Sequence, residues 1–222
     1  MDTPAHRAFK DQLYDQFARI GKALASPHRL ELLDLLAQGE RSVEDVARET
    51  GMSVANASQH LQTLRAAQLV TARRDGIHAF YRLADGQVFR LWQAVRDVGA
   101  VRLAEIDRLA IAFLGDRSTL EPVEAAELLE RLRQGDVVLL DVRPEEEYRA
   151  GHLPGARSVP LATLDAQASQ LPRDREIVAY CRGPYCLFSD EAVALLRARG
   201  YAARRLAIGF PDWRAAGLPV AA

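Results

Sequence analysis

At 222 residues, 49% hydrophobic and 27% charged, with a formal net charge of −1, the chain has an ordinary globular balance and room for two domains with separate cores. This composition excludes a disordered chain and a collagen-like repeat. The opening MDTPAHRAFKDQLYDQ lacks a basic segment followed by an apolar one, and no later run is long enough to span a bilayer, so a cytoplasmic protein without membrane attachment is expected.

In chain order, a helical pattern covers about Ala5 to Ile20. In SPHRLELLDLLAQG, Ser26 is placed to cap a second helix, Pro27 suits its first position, Leu30, Leu33 and Leu36 recur at helical spacing, and Gly39 follows its end. In SVEDVARETG, Ser42 caps a short helix that buries Val43, Val46 and Ala47 and stops at Gly51. A tight turn leads to VANASQHLQTLRAAQ, with Val54, Ala57, Leu61 and Leu64 on one face, which completes a helix-turn-helix. LVTARR and IHAFYRL read as strands of a hairpin turning at Asp75-Gly76, a wing. From Gly86 to about Leu114 one long helix is expected, with Val88, Leu91, Trp92, Val95, Val98, Leu103, Ile106, Leu109 and Phe113 apolar. That surface exceeds what a small domain needs and implies pairing of subunits.

The pattern lapses through GDRSTLEP, which sets a first domain at residues 1–115, a linker at 116–121 and a second domain at 122–222. There the order becomes helix (VEAAELLERLRQG), strand (DVVLLDVR), turn (GHLPGA), strand (EIVAYC), helix (SDEAVALLRARG), strand (ARRLAIG) and a terminal segment with Trp213. Such alternation predicts an α/β domain whose parallel sheet is covered on both faces. The expected fold class is therefore a mainly α winged helix-turn-helix followed by an α/β domain.

Charge distribution separates the halves. Between residues 53 and 82, Arg65, Arg73, Arg74 and Arg82 stand against Asp75 alone, a local charge of +3 in a nearly neutral chain. In a winged helix-turn-helix the second helix enters the major groove and the wing lies on adjacent backbone. Asn56, Ser58, Gln59 and Gln62 are suited to base edges, Arg65 to a phosphate or guanine, and Arg73, Arg74 and His78 to wing contacts.

The runs ALASPHRLELLDLL, SVEDVARETGMSVANASQHLQTLRAAQLV and RRDGIHAFYRL, from about Leu24 to Leu83, resemble the ArsR/SmtB family of dimeric repressors. The resemblance implies a homodimer on a palindromic double-stranded operator and repression relieved by an inducer. Many members bind metal or arsenic through a cysteine-bearing motif before the recognition helix, or through Asp, His and Glu on the last helix. Here the first stretch reads ERSVEDVA, with Ser42 and Val43 and no thiol, and the last helix has Asp97, Glu105 and Asp107 without histidine. No metal and no cofactor is expected; His28 and His60 are assigned to capping, packing or phosphate contact.

Both cysteines, Cys181 and Cys186, lie in AYCRGPYCLFSD. In a cytosolic chain they are inert core or chemistry rather than a disulfide framework. Cys181 should leave its strand into a loop of N–H groups before a helix starting near Leu187 or Phe188. The helix dipole, the loop amides and Arg182 would then favour a nucleophilic thiolate. DVRPEEEYRAGHLPGARSVPL, YCRGPYCLFSDEAVALLRARGY and GFPDWRAAGLPV, from about Val123 to the end, are similar to single-domain rhodaneses. This resemblance implies a persulfide on Cys181 cradled by the loop from Arg182 through Gly183 and Tyr185 to Cys186. Pro184 has no N–H to give. Asp141 and Arg143 match the family's Asp-x-Arg element, read mainly as an organiser of the loop region, and His152 is read as a turn-stabilising residue. Cys186 is either a buried helix-start residue or a resolving thiol that attacks modified Cys181.

Together these readings imply a repressor whose second domain senses or transfers reactive sulfur from a small sulfur donor or persulfide. The alternatives are a sulfurtransferase tethered to a DNA-binding module, and an oxyanion or arsenical sensor. The short stretch from Cys181 to Cys186, unlike the longer loop of related phosphatases, counts against the last.

Overall fold

A computed structural model describes residues 3–115 and 122–222; the linker expected at 116–121 lies outside the described residues. The chain divides into two compact units, Met1–Trp92 and Gln93–Ala222.

In the first unit, α1 (Pro4–Leu24) begins at Thr3, whose hydroxyl accepts from the His6 N–H. Helix α2 (Pro27–Gln38) carries Pro27 at its start, but Ser26 makes no side-chain cap bond; the fixed φ of proline initiates the helix without it. Its buried face is broader than expected and includes Leu32, Leu35 and Ala37 besides Leu33 and Leu36, because helices and the hairpin surround it. A two-residue strand, β1 (Arg41–Ser42), precedes α3 (Val43–Thr50). Ser42 Oγ accepts from the Asp45 N–H at 3.0 Å and donates to its carboxylate at 2.6 Å, and Gly51 ends the helix at φ +69°.

Helix α4 (Val54–Ala66) is capped by Ser53 and buries Ala57, Leu61 and Leu64 completely. Val54, expected on that face, is 49% exposed, because it occupies the first helical position, before the helix reaches the core. Strands β2 (Val70–Asp75) and β3 (His78–Leu83) form the hairpin, in an antiparallel sheet of order β1-β3-β2. Asp75 pairs with His78, so the turn residues are Gly76 and Ile77 rather than Asp75-Gly76, with Gly76 at φ +58°.

The single helix expected from Gly86 to Leu114 is two: α5 (Gly86–Arg102) and α6 (Ala104–Leu114), broken at Leu103. A side chain at Gly99 would begin 3.1 Å from Ile106 Cδ1, so this glycine leaves room for Ile106 just beyond the break. The apolar spacing continues through a one-residue break, which is why periodicity does not reveal it. The first turns of α5 bury Val88 and Phe89, and Trp92 Nε1 donates to Asp34 at 2.9 Å.

The second unit contains residues 93–102 of α5, α6, α7 (Ala125–Gln134), β4 (Val137–Asp141), α8 (Glu145–Ala150), β5 (Arg157–Ser158), α9 (Leu161–Gln167), β6 (Glu176–Tyr180), α10 (Phe188–Ala198), β7 (Ala203–Arg205) and α11 (Phe210–Ala215). The sheet is parallel, in the order β5-β4-β6-β7. Alternate residues serve opposite faces: Val138, Leu140, Ile177 and Ala179 pack with Leu164, Ala192 and Leu196, while Val137, Leu139, Val178 and Tyr180 pack with Leu128, Phe210 and Trp213. Both faces are therefore covered, as the alternation of elements requires. Helices α8 and α9 and strand β5 had no distinct sequence signal. Among the described residues no helix is long and apolar enough to cross a membrane.

Candidate functional site

Strand β6 ends at Tyr180 and delivers Cys181, 2% exposed, to a loop closed by a turn in which the Cys186 N–H donates to the Gly183 carbonyl at 3.1 Å. Helix α10 starts at Phe188, the expected place, and presents Ser189, whose Oγ is 3.3 Å from Cys181 Sγ. Burial raises the Cys181 pKa, but hydrogen bonds to the thiolate from the Cys186 thiol, the Ser189 hydroxyl and the backbone at Gly183 and Ser189 outweigh it and lower the value to about 7. The same bond pushes the Cys186 thiol up, with burial adding to it. One thiol is thus poised as a nucleophile while its neighbour keeps its proton.

Arg182 turns its guanidinium to the buried carboxylate of Glu147 and lies over the Phe188 ring. Its charge is balanced there, so the lowered Cys181 pKa comes from hydrogen bonding rather than from that neighbour. Tyr185 and Leu187, both exposed, form the outer rim of the loop. On its inner side, the Phe210 N–H donates to the Cys181 carbonyl at 3.1 Å. A Cβ on Gly209 would lie 2.3 Å from the carbonyl carbon of Arg182 and 2.4 Å from the Gly183 nitrogen, so only glycine admits this approach.

Asp141 and Arg143 are fully buried and paired at 2.6 Å. Arg143 also donates to the Gly151 carbonyl at 2.8 Å, and the Tyr180 hydroxyl donates to Asp141 at 2.6 Å while accepting from the Leu153 N–H. This network ties the ends of β4 and β6 to the GHLPGA turn and fixes where Cys181 leaves the sheet. Every charge in it is hydrogen-bonded, the condition for burying one. His152 bonds the Tyr148 carbonyl through Nδ1 at 3.0 Å and stacks on the Tyr148 ring.

In the first unit, α4 leaves Gln59, Gln62 and Arg65 exposed and Asn56 and Ser58 half-buried, with Gln62 donating to Ser58 Oγ at 3.2 Å. On the hairpin Arg74 is exposed, His78 lies 3.6 Å from Glu44, and Arg73 lies over Phe80 while donating to both carboxylate oxygens of Glu40. The structure therefore keeps the α4 residues off the buried Ala57, Leu61 and Leu64 stripe and gives the wing arginine a carboxylate partner. Ser189, Glu147 and Gly209 were missed from the sequence; they touch the loop from three different elements, and only the Gly in GFPDW carried a visible signal. Among the described residues, no group of three or more His, Cys, Asp or Glu could hold a metal ion.

Comparison with known proteins agrees with both units. The family model "Bacterial regulatory protein, arsR family" matches residues 26–72, and the model "Rhodanese-like domain" matches residues 124–216. The HTH-type transcriptional regulator Rv0324 of Mycobacterium tuberculosis is 49% identical over 211 residues, covering 95% of this chain and 92% of that protein. A sulfurtransferase of Allochromatium vinosum is 33% identical over 102 residues, covering 45% of this chain and 94% of that protein. Among solved structures, the homodimeric winged helix-turn-helix fragment 1–100 of Mb0332 from Mycobacterium bovis is 51% identical, covers 42% of this chain and 87% of its own, and has a TM-score of 0.41. The chain belongs to the ArsR family of HTH-type transcriptional regulators, in a form that joins the DNA-binding region to a rhodanese-like domain.

Proposed function

We propose that the protein is a cytoplasmic repressor that reactive sulfur releases from its operator through a persulfide on Cys181. The observation that carries this reading is the thiolate site itself: a buried cysteine at the end of β6, 3.3 Å from the Ser189 hydroxyl, with its pKa lowered to about 7 by four hydrogen-bond donors. The Cys181 thiolate attacks a sulfane sulfur of an inorganic polysulfide. A new S–S bond forms on Cys181, the old S–S bond breaks, and the shortened polysulfide leaves with its electron pair. Asp141 and Arg143 hold the strand ends, Arg182, Gly183 and Tyr185 form the cradle, and Cys186 supplies a proton donor to the thiolate and a second thiol for resolution.

DNA contact is assigned to Asn56, Ser58, Gln59, Gln62 and Arg65 on α4 and to Arg73, Arg74 and His78 on the wing. Phe9, Leu13 and Phe17 on α1 are exposed and spaced four apart, an apolar stripe that suits pairing with a second copy on a palindromic site. A coupling of about 1–3 kcal/mol between sulfur and operator would change affinity roughly 5- to 150-fold. The test is operator binding by fluorescence anisotropy with and without polysulfide, beside mass spectrometry of the adduct. Weakened binding in the wild type, absent in Cys181→Ser, supports the reading; unchanged binding with a complete adduct refutes it. The second reading, a sulfurtransferase regulated or tethered by its DNA-binding region, draws on the Allochromatium relative. It predicts multiple turnovers from thiosulfate to cyanide or a thiol.

A further inference from the structure

Asp212, on α11, is 4% exposed and has no counterpart in the readings above. Its Oδ1 accepts from Gln93 Nε2 at 2.9 Å and from the Arg96 guanidinium, both on α5. Among the described residues its Oδ2 is buried without a hydrogen-bond partner. A side chain at Gly183 would begin 3.8 Å from that bare oxygen and 3.8 Å from an Arg96 nitrogen, so the carboxylate and the guanidinium both stand against the sulfur loop.

A buried carboxylate oxygen left unpaired keeps its desolvation cost uncompensated. An arrangement that tolerates this is poised for a competing one. The loop also has little slack. Cys181 Sγ is 3.8 Å from the carbonyls of both Gly183 and Cys186, so an added sulfur atom is bound beside those carbonyls. Gly209, with no side chain, already lies in close contact with Arg182 and Gly183, so displacement of that backbone presses on the residue that begins α11. Asp212 is in the first turn of that helix. Gln93 and Arg96, in turn, share one continuous helix with Val88, which packs in the core of the first unit.

We propose that Asp212, Gln93 and Arg96 form a clasp that passes the sulfur state of Cys181 to helix α5, with Arg96 as its positioning residue. This proposal rests on persulfide formation at Cys181. When sulfur enters, the loop shifts at Gly183, Asp212 moves with α11, and its hold on α5 loosens. Loss of the Asp212 bonds would give α5 a released arrangement beside the bonded one, the two states that a coupling route requires.

The test uses the full-length protein with and without inorganic polysulfide. Amide hydrogen exchange is followed across residues 93–102, the Cys181 adduct by mass spectrometry, and operator binding by anisotropy. Arg96→Gln removes the ion pair, and Gln93→Leu removes only a neutral hydrogen bond in case the first variant misfolds. In the wild type, exchange in residues 93–102 should rise at least threefold on sulfur uptake. In Arg96→Gln the adduct should form equally while that rise disappears, and in Gln93→Leu the rise should shrink. The clasp is overturned if both variants keep the wild-type rise, or if the wild type takes up sulfur with no change in α5. A change in α5 without loss of operator affinity would refute the repressor reading and leave the clasp standing, whereas failure to form the adduct would refute both.

Discussion

Replacing Gly209 by alanine should disable the sulfur loop without touching either cysteine. Gly209 has φ −91° and ψ 177°, a conformation alanine adopts freely, so backbone strain plays no part. The added methyl would lie 2.3 Å from the carbonyl carbon and oxygen of Arg182 and 2.4 Å from the Gly183 nitrogen, where ordinary contacts are 3.4–4 Å. The opposing atoms are backbone, so no rotamer change relieves the clash, and loop and helix must separate by about 1 Å. Overpacking of this kind costs roughly 1–3 kcal/mol, which should lower the melting transition of the second unit by about 5–15 °C. A misplacement of about 1 Å at a reacting group can slow chemistry on the order of 100-fold. Sulfur uptake at Cys181, followed by mass spectrometry over time, should therefore slow by one to two orders of magnitude in Gly209→Ala. If the variant melts within a degree of wild type and takes up sulfur at the same rate, the packing argument for the loop is wrong.

Other consequences are equally open to measurement. Alkylation of Cys181 by iodoacetamide should rise with pH around a midpoint near 7, because the thiolate predominates above it. Cys186→Ala removes one donor to that thiolate and should move the midpoint upward; a downward shift would contradict the assigned bond. Asp141→Ala strands the buried Arg143 and the Tyr180 hydroxyl and should cost about 3–5 kcal/mol in urea denaturation, with a loss below 1 kcal/mol arguing against the network. Glu40→Gln removes the exposed ion pair of Arg73 with Glu40 and leaves only the longer approach to Asp75 at 3.4 Å. Its DNA affinity should rise by up to about fivefold and its salt dependence steepen by about 0.9. Unchanged affinity and slope would remove Arg73 from the DNA surface.

By itself the sequence determined most of the longer elements, the helix-turn-helix with its hairpin, the parallel α/β domain and the place of Cys181 before a helix. These are local matters: apolar spacing, a cap such as Ser42, and glycine stops state them within a few residues of the feature. Tertiary structure decided where the helix after Gly86 breaks, because the apolar period runs through Leu103, whose extended backbone, with Ile106 set against Gly99, appears only in the fold. It decided that Val54 faces outward, that Glu147 rather than the thiolate holds Arg182, and that Ser189 and Cys186 share the proton-donor role at Cys181. Gln93, Arg96 and Asp212 meet only in the folded chain, more than a hundred residues apart. The pKa of a thiol and the partner of a guanidinium depend on distances across elements, and no spacing within one segment encodes them.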